Sequence, residues 1–242
     1  MKHWKITLIT FVFIVHTVKA QHFDSLYYFG NDSMTDGRYV VLEEFVAQLR
    51  EKRTKLKEEE RFLAHAFQTT QGRFLKNYTS YVRFEYIFES QSFNCVSGTA
   101  LLVTVVGALG FQYEIHETPF HTYLIVHLKS GKKILLESTD FENGFVEDSL
   151  QIIYREHLYT NGRTLAQPDV MDFRPNFTPF NQVISLKQLA GLQYFNEGVV
   201  AYNTQNYAAA EVFLQQAFAL YPSARVERLR ESCLVQQSKK KH

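Results

Sequence analysis

Thiols are scarce in this chain: two cysteines, Cys95 and Cys233, in 242 residues. No paired-histidine motif and no cysteine knuckle accompanies them, so neither a metal nor any other cofactor is predicted. No glycine-rich phosphate loop is present, which leaves a nucleotide-binding P-loop without support. Long basic faces are missing too, and the run Lys239-Lys240-Lys241 is short, so nucleic acid is not an expected partner. The one extended apolar run, Ile6 to Val18, is too short to span a bilayer comfortably. Hydrophobic residues at 45% and charged residues at 21% are ordinary for a globular protein with a real core.

That apolar run reads as something else. Lys2 and Lys5 precede it, and Val18-Lys19-Ala20 offers small or apolar residues where a signal peptidase cuts. The expectation is a secretory signal over residues 1–20, cleaved before Gln21, with an uncleaved anchor as the alternative. Losing Lys2, Lys5 and Lys19 turns the net charge from +1 to −2. Export to a periplasmic or extracellular compartment would also make a Cys95–Cys233 disulfide chemically permissible.

Periodicity organises the rest. Tyr39 to Phe74 carries helical spacing (Val41, Phe45, Leu49, then Phe62, Ala66, Phe67), with a charged, exposed middle from Glu51 to Glu60. Tyr78 to Phe88 alternates aromatics and reads as extended. Cys95 to Leu109 reads as a buried helix stopped by Gly110. Phe111–His116, Thr122–Leu128 and Lys133–Glu137 read as strands, the last two joined by a hairpin at Lys129-Ser130-Gly131-Lys132. Together these predict an α+β fold, a cysteine-bearing helix packed on an antiparallel sheet. Residues 21–165 form the expected core and 166–182 a proline-marked linker. Helices follow over 183–236.

A thiol at a helix start is chemically favoured, because free N–H groups and the helix dipole stabilise the thiolate. Proline before a strand fixes the entry of His121, and alternation sets His121, Tyr123 and Ile125 on one side of the sheet. His116 and His127 lack so defined a context. Two acids compete to orient His121. A two-residue turn at Ser130-Gly131 would set Asp140 opposite it, and one further loop residue reverses the parity in favour of Glu137. Gln91, four residues before the thiol, is a candidate oxyanion donor.

Asn94-Cys95 opening a small-residue helix, His121-Thr-Tyr-Leu-Ile-Val, and Leu135-Leu136-Glu137-Ser138-Thr139 resemble the transglutaminase-like superfamily of bacterial papain-fold proteins. The resemblance covers roughly residues 60–145. It implies a papain-like core and a triad of Cys95 as nucleophile, His121 as base and an acid, Glu137 in preference to Asp140. The family acid is usually Asp, so Glu137 is a departure. Separately, Gly191 to Ala224 resembles a single tetratricopeptide repeat through Tyr194, Gly198, Ala210, Leu214, Ala217 and Pro222. The implied activity is acyl transfer to water or an amine, from a protein or peptide substrate. Its rival is a non-catalytic exported scaffold that keeps the fold and holds a protein partner through the C-terminal helices.

Overall fold

The computed structural model describes residues 24–29, 37–161 and 178–240. The expected signal segment and most of the expected linker lie outside them. A short 3-10 helix, Asp24–Phe29, precedes two helices, α1 (Arg38–Arg53) and α2 (Glu59–Phe74). Next come β1 (Asn77–Tyr78), the single-turn α3 (Tyr86–Glu89), β2 (Ser92–Phe93) and α4 (Cys95–Ala108). Strands β3 (Gln112–Glu117), β4 (Thr122–His127), β5 (Lys133–Leu136) and β6 (Phe145–Val146) follow, then α5 (Ser149–Thr160). The C-terminal part is β7 (Gln182–Ile184), α6 (Leu186–Asn203), α7 (Tyr207–Leu220) and α8 (Ala224–Lys240). Among the described residues no helix is long and apolar enough to cross a membrane.

One antiparallel sheet, in the order β6-β5-β4-β3-β7, organises the fold, and β1 and β2 form a separate parallel pair. Alternation along β4 divides its side chains between two layers. Leu124 and Val126 join Ile134 and Leu136 in the main core with α4. Tyr123 and Ile125 join Leu135, Val146, Ile152 and Tyr159 on the side covered by α5. Helix α4 is buried along almost its whole length. Its capping box explains where it starts: Ser97 N–H donates to Asn94 Oδ1, and Asn94 N–H donates to Ser97 Oγ, each at 3.0 Å. Gly110, at φ +82°, follows the last turn.

Three local expectations are corrected. The helical pattern over Tyr39–Phe74 is broken between Arg53 and Glu59. Arg53 of that charged region, and Arg50 just before it, are also not idle: Arg50 and Arg53 donate to the carbonyls of Ala108 and Leu109, at 2.6 and 2.8 Å. They supply donors that the C-terminal end of α4 cannot find within the helix. Tyr78–Phe88 is not extended throughout. Phe84 and Ile87 are both buried, which the turn of α3 allows, and Phe84 packs its ring on Phe29 and Phe88 at 5.3 and 5.6 Å. Finally, Gln182 opens an edge strand, β7, paired with β3.

The C-terminal helices share this core. Leu189, Ala190, Leu192 and Tyr221 belong to the same buried cluster as α4. Buried Gln193 accepts from Phe84 N–H at 2.8 Å and donates to the Phe29 carbonyl at 3.0 Å. Gly198 lets α6 and α7 approach, since a Cβ there would stand 2.7 Å from Leu214 Cγ.

Gly98 does the same for the start of α4. A Cβ on it would lie 2.6 Å from Ser138 Oγ, 2.7 Å from Ser138 Cβ and 3.0 Å from the Phe93 ring. Gly98→Ala is therefore expected to destabilise the protein by about 1–3 kcal/mol through overpacking. Gly72 in α2 has nothing within 4 Å of its Cβ position. Gly72→Ala is expected to stabilise by about 0.5–1 kcal/mol. Urea midpoints of the two variants check this, and a neutral Gly98→Ala would contradict the close approach.

Candidate active site

Three element boundaries meet at one end of the sheet. Cys95 is the first residue of α4, His121 precedes β4 by one residue, and Glu137 follows β5 by one. Each is held by its own local device. Thr122 Oγ1 donates to the Cys95 carbonyl at 3.0 Å, and Thr99 Oγ1 donates to the Thr122 carbonyl at 3.2 Å. These bonds stitch the start of α4 to the start of β4. His121 closes a tight hairpin whose Thr118 N–H and Oγ1 donate to its carbonyl, at 2.9 and 3.1 Å.

Hairpin register decides which acid meets the imidazole. Leu128 N–H donates to Lys132 O and Gly131 N–H to Leu128 O, both at 2.9 Å, and His127 pairs with Lys133. Leu135 then opposes Ile125, so Glu137, two residues on, falls on the face of Tyr123 and Ile125. A Glu137 carboxylate oxygen, Oε2, bonds His121 Nε2 in a buried ion pair. Its other oxygen accepts from Thr139 N–H at 2.9 Å and Thr139 Oγ1 at 2.8 Å. The turn carrying it is fixed twice more. Glu137 N–H donates to Gly144 O at 2.8 Å, and the Gln71 amide lies 3.5 Å from the carbonyls of Glu137, Ser138 and Asp140.

Asp140 takes a different place. It pairs with the largely buried Arg155 of α5 at 3.0 Å, and its other oxygen accepts from Asn143 N–H at 2.9 Å. Gln91 is committed elsewhere, its amide donating to Arg73 O at 2.9 Å while its own carbonyl accepts from Lys76 and Asn77. It also lines an open groove of about 510 Å³ with Arg38, Arg73, Phe74 and Phe88. His116 and His127 share Glu114, at 3.3 and 3.5 Å. Cys95 and Cys233 are both free thiols, the latter buried in the C-terminal helical cluster. Among the described residues no group of three or more His, Cys, Asp or Glu is placed to hold a metal ion.

The electrostatics follow from burial and pairing. Burial alone would disfavour the imidazolium, but the charge of Glu137, the hydrogen bond that its carboxylate accepts and the neighbouring Cys95 thiol outweigh it, and His121 is pushed up to about 10. Burial raises the Glu137 carboxyl, yet His121 and the two Thr139 donors bring it below the ordinary carboxylate range. Nε2 is the ring nitrogen that faces Glu137. The Tyr159 ring lies tilted at 53° to the imidazole, centroids 4.8 Å apart, its phenol raised by burial and then by the Glu137 charge.

Around the half-buried thiol stands an aromatic rim. Burial, then the charge at Cys95, pushes Tyr81 up to about 12, and the same two causes raise Tyr78. Tyr78, Phe93 and Phe141 follow edge to face at 6.0 and 5.8 Å, and Phe141 is half exposed. Tyr81 adopts a left-handed backbone, φ +61°, beside Val82, whose carbonyl accepts from Asn94 Nδ2 at 2.9 Å. Sequence reasoning missed these residues and Thr122, Thr139, Gln71 and Tyr159. Only the Asn94/Ser97 capping box had a local signature, an N-cap Asn with Ser three residues on.

The pair makes a stability prediction with a defined sign. Raised His121 stabilises the fold fully below its unfolded value near ~6.5, and the effect fades as pH rises through about 10. Lowered Glu137 stabilises above its unfolded value near ~4.3 and is lost as pH falls further. The excess urea midpoint of the native protein over His121→Gln should therefore be largest between pH ~4.5 and ~6.5 and shrink toward pH ~10. A constant excess across that range would contradict the pairing. No family model, no curated protein and no solved structure matches this chain.

Proposed function

We propose that the protein is a cysteine-dependent acyl-transfer enzyme of the transglutaminase-like, papain-fold kind, acting on glutamine side-chain or peptide amides. The single observation carrying this reading is the buried pairing of His121 with the Glu137 carboxylate, close enough to the Cys95 thiol for that thiol to help raise the imidazole. That arrangement is what nucleophilic thiol catalysis requires.

In the proposed reaction the Cys95 proton resides on His121, and the thiolate attacks the amide carbonyl carbon. Oxygen takes the negative charge next to the first N–H groups of α4, which have no partner within the helix. Collapse of this intermediate breaks the C–N bond, His121 delivers its proton to the departing nitrogen, and a thioester remains. Water or a second amine then attacks the thioester. Neutral His121 accepts its proton, and the sulfur leaves as thiolate. Glu137 holds the ring and stabilises its cationic form throughout. Hydrolysis is favoured over cross-linking by the superfamily resemblance, and the expected setting is an exported one.

Alkylation of Cys95 by iodoacetamide across pH ~5.5 to ~9 tests the reading. An ordinary thiol loses about tenfold in rate per pH unit below ~8.5. The native protein should change by less than about threefold between pH ~8.5 and ~5.5, and His121→Ala should restore the ordinary slope. Buried Cys233 serves as the slow internal reference. Equally steep profiles in both proteins would overturn the proposal.

A further inference from the structure

A second buried carboxylate stands at the opposite strand of the same hairpin. Glu117, the last residue of β3, is 1% exposed. One oxygen pairs with the Arg225 guanidinium, and the other accepts from Tyr221 OH at 2.5 Å and Gln182 Nε2 at 3.0 Å. Arg225 also reaches the Pro119 carbonyl at 3.4 Å and lies over the Phe195 ring at 4.9 Å. Phe195 is on α6, Tyr221 directly follows α7, and Arg225 is in the first turn of α8. All three C-terminal helices thus meet around the Glu117–Arg225 pair at the entry to the Thr118-Pro119-Phe120-His121 turn, the first of them through Phe195 on Arg225.

A seam between a helical unit and a core needs no buried charge. An apolar contact of the same volume holds at least as well, whereas a charge pair fixes geometry at the cost of desolvation. Here the fixed geometry is that of the turn that presents His121. We propose that Arg225 and Glu117 are positioning residues that hold the His121 turn, so that the C-terminal helices set the alignment of His121 on Cys95. This inference rests on the thiol–imidazole reading above. It makes the C-terminal helices part of the active site's support rather than an appendage.

The test is the pH profile of Cys95 alkylation in the full chain. The double variant Glu117→Gln/Arg225→Met removes the pair without stranding a buried charge. Tyr221→Phe, which removes one donor and keeps the ion pair, is the milder companion should the double variant fail to fold. Circular dichroism selects the folded variants. The double variant should alkylate about tenfold more slowly than the native protein at pH ~6 and at an unchanged rate at pH ~9, where a thiol ionises unaided. Tyr221→Phe should move in the same direction by about two- to threefold, and restoring Arg225 in the Glu117→Gln background should recover part of the rate. A folded variant with the native profile overturns the inference, provided His121→Ala steepens it. If His121→Ala also leaves the profile flat, the failure belongs to the thiol–imidazole reading itself.

Discussion

Burying a carboxylate next to a sheet is expensive unless its charge is answered, and the Glu137 carboxylate is answered by the His121 imidazole, which the pairing raises well above its ordinary value. Much of the local architecture follows from satisfying this pair. Glu137 has its remaining oxygen filled by Thr139, and the turn that carries it is held by Gly144 and Gln71. The imidazole is flanked by the Tyr159 ring, and the nearby Cys95 thiol adds to the causes that raise it. Since each ion relieves the other, removing either leaves a buried charge alone, and the cost falls on the end of the sheet that they share.

The same logic recurs at Glu117, with a guanidinium as the answering charge. The two buried carboxylates bracket β4's entry turn, one through its ring and one through its base. Between them the turn is closed by Thr118 and by the fixed φ of Pro119. On the helix side the approach is equally constrained, because Gly98 permits Ser138 to sit against the first turn of α4. The cysteine at that turn is half buried, with Tyr78 and Tyr81 near enough to feel its charge and the Tyr78, Phe93 and Phe141 rings in an edge-to-face series.

Much of this was legible in the residues themselves. Asn94-Cys95 before a run of small and apolar residues reads as a helix start, and Pro119 before alternating apolar residues reads as a strand entry. Such signals are local, so they survive without knowledge of the fold. What was open was parity: whether Glu137 or Asp140 faces His121 depends on one residue of hairpin geometry, which the Ser-Gly pair alone does not set. The structure gives that face to Glu137 and gives Asp140 to Arg155, a partner fifteen residues on. Long-range roles were not readable at all. Arg50 and Arg53 look like members of a solvated charged run until α4's last carbonyls arrive beside them. Arg225 reads as one more helix charge until Glu117 is found buried beside it. Tyr78–Phe88 misled for a related reason, since alternating aromatics fit a strand, while the core takes up Phe84 and Ile87 from a helical turn.

Everything at this end of the sheet turns on whether the His121 ring, bonded to a buried carboxylate, holds its proton far above the ordinary histidine range. Ring-nitrogen NMR of His121, followed from pH ~5 to ~10.5, tests it most directly. An imidazolium that persists until about pH 10 is the expected result. A ring that titrates near the ordinary histidine value of ~6.5 would contradict it.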